Sequence, residues 1–171
     1  MLMERISYDH DTAAFSCGVD IVDEALQKEG RRFKKSRAMV WPDANRPEKI
    51  VGWSSASLQH MTVLGTLKEQ VVFLEWIARD LNYPRVGPEL MLRTLADLHH
   101  RGRLLPAESI LLEPLVCGDP DAMRRRQRLF AEEFGFELLP AKRGGQPHLM
   151  HLPITLDLLH GLEQWSAKAP S

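Results

Sequence analysis

Apolar and polar positions alternate, cluster and recur along this chain in a way that separates its elements. A short opening strand, "RISY", leads into the turn-like "DHDTAAFSCG" and a helical segment starting near Val19. Gly30 is expected to break that segment into two short helices, the second carrying "RRFKKS". "RAMVWP" and "KIVGWSSASLQ" read as strands joined by "DANRP", whose Asp, Asn and Pro form turns. The pair predicts a hairpin. Next come the apolar run "QVVFLEWIA", a loop, and a helix to about Arg101 with Met91, Leu95 and Leu98 on one face. "SILLEPLV" is continuously apolar, as in a strand covered on both faces. Asp119 is expected to cap a helix with Pro120 in its first turn, running to Phe134. "FELLPA" and "HLMHLP" flank "KRGGQ" as a second hairpin. The final "TLDLLHGLEQW" places Leu158, Leu162 and Trp165 on one helical face.

The order is βααβββαβαββα, and its hairpins and crossovers imply an α/β sheet with parallel and antiparallel neighbours. No repeat or linker interrupts the 171 residues, so they are expected to form one domain, 1–171. A 44% hydrophobic and 26% charged composition is that of a globular protein. Cys17 and Cys117 lie far apart and lack ligand-like spacing with the seven histidines, so no disulfide framework or metal site is expected. No run approaches the roughly eighteen apolar residues of a membrane span, and a cytoplasmic protein is expected. The net charge of −1 gives no overall preference for polyanions, although "KEGRRFKKSR" holds six basic residues and one acidic.

The stretch "DLNYPRVGPELMLRTL" joins strand to helix through Gly87 and Pro88. Pro88 suits the first helical turn, where no N–H is needed. Loop and first-turn amides at such a junction point outward with the positive end of the helix dipole behind them, which suits phosphate. An ordinary strand-to-helix turn is the alternative.

Three stretches in this order resemble the GNAT family of acyl-coenzyme A dependent N-acyltransferases, over roughly Arg5 to Pro153. The family loop [Q/R]-x-x-G-x-[G/A] is matched by Asn82-Tyr83-Pro84-Arg85-Val86-Gly87, with Asn82 in place of the first Gln or Arg and Arg85 in place of the inner glycine. "LFAEEFGF" resembles "xFYEKxGF", with Ala131 where the family often has a tyrosine that protonates the leaving thiolate. "FSCGVDIVDEALQKEGRRF" resembles the opening of a GNAT branch that includes toxins acetylating aminoacyl-tRNA; Phe15, Cys17, Gly18 and Leu26 match.

The resemblance implies a GNAT-like, mostly antiparallel sheet with a splayed central parallel strand pair and flanking helices. It also implies acetyl-coenzyme A or another acyl-coenzyme A as cofactor. Trp76, Ile77 and Ala78 would meet the pantetheine arm through their backbone, and Arg85, Val86, Gly87, Pro88 and Glu89 would surround the pyrophosphate. Pro88 offers no amide, and Glu89 repels phosphate unless it points away.

Acyl transfer needs a held thioester, a deprotonated amine and a protonated thiolate. Glu75 is the candidate general base, with a paired surface carboxylate as the alternative. Cys117 is the second catalytic candidate, with a small buried hydrophobe as the alternative. Lys28, Arg31, Arg32 and Lys35, at i, i+3, i+4 and i+7, would form a basic stripe for nucleic acid on one continuous helix, or else an ordinary solvated face. The leading expectation is acetyl transfer to an amine. The alternatives are a GNAT-fold protein that only binds a partner and a tRNA-modifying relative. The acceptor is unassigned, RNA, protein and a second copy of the chain stay open as partners, and no membrane is expected.

Overall fold

The structure is a computed structural model and describes residues 3–62, 68–114, 120–139 and 149–169. In chain order these form β1 (Glu4–Arg5), α1 (Asp20–Arg31), a 3₁₀ turn (Phe33–Lys35), β2 (Met39–Pro42), β3 (Ile50–Thr62), β4 (Lys68–Arg79), α2 (Gly87–His100), β5 (Ser109–Leu112), α3 (Pro120–Phe134), β6 (Glu137–Leu138), β7 (Met150–Pro153) and α4 (Leu156–Lys168). The seven strands form one sheet in the order β1-β2-β3-β4-β5-β7-β6. The β4–β5 pair is parallel, and the pairs β1–β2, β2–β3, β5–β7 and β6–β7 are antiparallel. This is the mixed sheet expected from the element order, and it is mostly antiparallel as the GNAT resemblance implies.

The chain divides into two compact units. The first comprises 1–56, 76–102 and 156–171. Val40 pairs with Trp53 and Trp41 with Gly52, and the register shifts between Trp41 and Pro42, where a residue lacking a ladder N–H is tolerated. In the connecting turn, the Asp43 carboxylate accepts the amides of Asn45 (2.8 Å) and Arg46 (3.1 Å), the local bonding that makes Asp a turn former. The core of this unit includes Ile6, Phe15, Leu26, Val40, Trp53, Met91 and Leu95, and Leu162 of α4 is also buried.

Gly30 does not break α1. The helix continues through Arg31, and the deviation falls at Arg32 (φ −111°, ψ 23°). A Cβ at Gly30 would stand 2.8 Å from the Thr12 methyl, so close packing explains the glycine, and the helix absorbs its propensity cost of about 1 kcal/mol. Gly52 is a second close approach: a Cβ there would lie 2.8 Å from both terminal methyls of buried Leu90 and 3.2 Å from the carbonyl oxygen of Ala78. Gly52→Ala is therefore expected to destabilise the fold by about 1–3 kcal/mol, measured by urea denaturation, because α2 cannot settle on β3 as it does now. Unchanged stability would show that Leu90 yields freely.

The second unit comprises 57–75 and 103–155. Parallel pairing runs from Val71↔Ser109 to Leu74↔Leu112. Val71 and Leu111 are fully buried, with Met61, Phe73, Leu139 and Leu149 packed against them. The expected strand "SILLEPLV" is shorter than its apolar run: β5 ends at Leu112 and Glu113 is exposed, because Pro114 has no N–H to continue a ladder. Residues Leu115 and Val116 of that expectation, with Cys117 and the Asp119 cap, lie outside the described residues, as does the turn of the second hairpin. The strands of that hairpin pair as expected, Glu137↔His151 and Leu138↔Met150. α3 ends at Gly135, whose φ of 74° turns the chain so that its N–H bonds Ala131 O (3.0 Å) and the Phe136 N–H bonds Phe130 O (3.1 Å). Phe136 is buried against Phe130, at 6.1 Å between ring centroids. "FGF" is thus a helix stop.

Candidate functional site

The strand-to-helix junction lies wholly in the first unit. Pairing of β4 with β5 stops at Leu74, and β4 runs five residues further, through Trp76, Ile77 and Ala78 to Arg79. These three are half-buried, and Trp76 stacks on fully buried Trp53 at 6.2 Å and 27°. Glu75 is exposed on the same strand.

The loop after β4 is organised by Asp80. Its buried carboxylate accepts the Asn82 amide at 2.7 Å and the Ser16 amide at 2.9 Å, while the Leu81 amide bonds Ser16 O at 2.8 Å. The "FSCG" stretch is therefore the other half of the loop's support. Phe15 anchors it in the core and Gly18 turns it at φ 81°. The Asp23 carboxylate accepts the Cys17 amide (2.9 Å) and the Ser16 hydroxyl (3.1 Å), fixing the approach to α1.

Arg85 is the one non-glycine residue with a positive φ among the described residues, at 72°. It occupies the position of the family's inner glycine, so the loop backbone keeps a left-handed conformation although a side chain is present. Val86 precedes α2 with no side-chain cap, and Pro88 sits in the first turn. A turn at Pro84 and Arg85 leads into α2, and Leu90 is the first amide of the helix to bond back, to Val86 O at 2.8 Å. A Cβ at Gly87 would meet nothing within 4 Å. The carboxylate of Glu89 is held along the helix: its Oε1 accepts Nη2 (2.8 Å) and Nε (3.0 Å) of Arg93. First-turn amides of a helix have no partner within the helix, and with the nearest acid engaged such a start suits a phosphate-bearing ligand.

Beside the loop lies a cleft of about 360 Å³ whose lining includes Phe15, Arg46, Lys49, Asp80, Asn82 and Tyr83. The Tyr83 hydroxyl donates to Asp43 at 2.5 Å and accepts from Arg46 at 3.3 Å. That bond to Asp43 raises the Tyr83 pKa and lowers that of Asp43. Lys49 is paired with Asp11 at 3.2 Å. The sequence reading missed this cleft because its walls come from the hairpin turn, the N-terminal segment and the loop. Only the turn-forming Asp43 hints at it.

The basic stripe is interrupted. Lys28 and Arg31 lie on α1, Arg32 follows its end, and Lys35 belongs to the 3₁₀ turn. All four are exposed, so they make a basic surface but not one helical row. No group of three or more His, Cys, Asp or Glu side chains among the described residues could hold a metal ion. No described helix is long and apolar enough to cross a membrane.

Cys17 stands partly buried at the approach to α1. Burial, and then its bond to Asp23, push its thiol up to about 12. At pH 8 its alkylation in the folded protein should be more than about 100-fold slower than in urea, read by peptide mass spectrometry. Equal rates would contradict this packing.

This sheet, with its extended β4 and its left-handed loop opening α2, is the fold of the GNAT N-acyltransferases. The chain resembles the toxin branch of that superfamily in particular. It is 27% identical over 162 residues to a probable toxin TacT of Sinorhizobium fredii (strain NBRC 101917 / NGR234), covering 85% of this chain and 86% of that protein. No family model matches it. Similar solved structures include a mutant AtaT toxin bound to the C-terminus of the antitoxin AtaR and acetyl-CoA (17% identity, TM-score 0.68, 96% of each chain). The KacTA–DNA complex is similar at 18% identity and TM-score 0.66, over 98% of this chain and 97% of that one. AtaT complexed with acetyl-methionyl-tRNAfMet is similar at 14% identity and TM-score 0.62, over 85% and 88%.

Proposed function

We propose that the chain is an acetyl-coenzyme A dependent N-acyltransferase, acting as one GNAT-like domain over 1–171. The observation that carries this reading is the loop: Arg85 at φ 72° leads directly into the first turn of α2 at Gly87, the left-handed loop and helix start that suit a pyrophosphate. The AtaT structure with acetyl-CoA, whose coverage spans nearly all of both chains, supports the same cofactor here. In this reading Trp76, Ile77 and Ala78 offer backbone to the pantetheine arm, and Arg85, Val86, Gly87, Pro88 and Glu89 surround the phosphates. Glu75 takes the amine proton directly or through water. Cys117 remains the second catalytic candidate.

The acceptor we favour is the amine of an aminoacyl-tRNA. AtaT with acetyl-methionyl-tRNAfMet and the exposed Lys28, Arg31, Arg32 and Lys35 support it. Incubation with acetyl-coenzyme A and aminoacyl-tRNA should release free thiol and leave an acetylated amine, read by thiol titration and mass spectrometry. Transfer to small amines or protein with none to aminoacyl-tRNA would overturn this acceptor.

One observation favours a second reading. Ala131, in the position of the family's tyrosine, is exposed on α3 and has no proton to give. A chain that binds coenzyme A or a partner without acyl transfer would show no thiol release with any amine.

A further inference from the structure

Arg93 is a charged residue that the apolar face of α2 does not anticipate. It is 5% exposed, and its guanidinium carbon stands 4.3 Å from the centroid of the Trp41 ring on β2. From there Nε and Nη2 both donate to Oε1 of Glu89, at 3.0 and 2.8 Å. A guanidinium seated on an aromatic face and buried by its surroundings is fixed in place, unlike a surface lysine or arginine. Glu89 is the less buried partner, its side chain 41% exposed, and it belongs to the first turn of α2. An unrestrained carboxylate there would repel any phosphate at the helix start.

We propose that Arg93 is a positioning residue for the coenzyme site, holding and neutralising Glu89 so that the first turn of α2 can receive a pyrophosphate. The inference rests on the coenzyme reading above. A helix-stabilising i,i+4 pair would account for the contact alone, but would not tie it to ligand affinity.

The test is acetyl-coenzyme A binding, measured by calorimetry on the full chain. Arg93→Gln should weaken binding about tenfold at low salt, as expected for one exposed repulsive charge near a phosphate. The loss should shrink as ionic strength rises from about 0.01 M to about 1 M, over which the screening length falls from about 30 Å to about 3 Å. Adding Glu89→Gln to Arg93→Gln should restore affinity to near that of the unmodified protein. If Arg93→Gln does not fold, Arg93→Lys supplies the same comparison, with a smaller loss that Glu89→Gln again restores. A loss that Glu89→Gln does not rescue, or that salt does not change, overturns the proposal while leaving the coenzyme reading standing. A wild-type chain that binds no acetyl-coenzyme A overturns both.

Discussion

Gly87→Glu is expected to abolish acetyl-coenzyme A binding while leaving the fold intact. The fold should survive because a Cβ at Gly87 meets no atom within 4 Å and the position opens α2, where an acidic side chain favours the helix dipole. Binding should fail because the new carboxylate stands in the first turn of α2, at the proposed pyrophosphate site, adding both bulk and like charge. A loss beyond about 100-fold is expected, equivalent to about 2.7 kcal/mol. Calorimetry gives the affinity and circular dichroism the fold. Gly87→Ala controls for the side chain alone and should stay folded. Undiminished affinity in Gly87→Glu would move the pyrophosphate away from this loop.

Glu75→Gln should reduce turnover by about 10²–10⁴-fold with little change in coenzyme affinity, because a base is needed only as the amine attacks. Glu75 is exposed on β4, next to Trp76, so the isosteric change should leave the strand undisturbed. Thiol release with the accepting amine gives turnover, and calorimetry gives affinity. Wild-type turnover in this variant would return Glu75 to the role of a surface carboxylate with a structural partner. The proton for the departing thiolate cannot come from Ala131, so another group, Cys117 among the candidates, or water serves in the proposed mechanism.

Much of the element order was legible because hairpins and helices carry local signals. "DANRP" became a turn through the Asp43 carboxylate, and Leu158, Leu162 and Trp165 do line the less exposed face of α4. The failures share a physical origin in tertiary contact. Gly30 reads as the break from propensity, yet the break between α1 and the 3₁₀ turn falls at Arg32, and close approach to Thr12 explains the glycine. "SILLEPLV" reads as one strand from hydrophobicity, yet Pro114 follows soon after the ladder ends. Arg85 stands where the family has its inner glycine, and its φ of 72°, not legible from residue type, lies in the region that favours glycine. Asp80, Tyr83, Arg46 and Lys49 carried no joint signal, since the bonds from Ser16 and Asn82 to Asp80 help bring distant segments together. Arg93 escaped for a related reason: periodicity marks apolar faces, and its burial depends on the Trp41 ring.

The most direct test of the coenzyme reading is a calorimetric titration of the wild-type chain with acetyl-coenzyme A, set beside one with acetyl-pantetheine, which lacks the pyrophosphate. Saturable one-to-one binding of acetyl-coenzyme A, much tighter than that of acetyl-pantetheine, is the expected result. No saturable heat with acetyl-coenzyme A, or equal affinity for the two, would contradict a phosphate-holding loop at Arg85–Glu89.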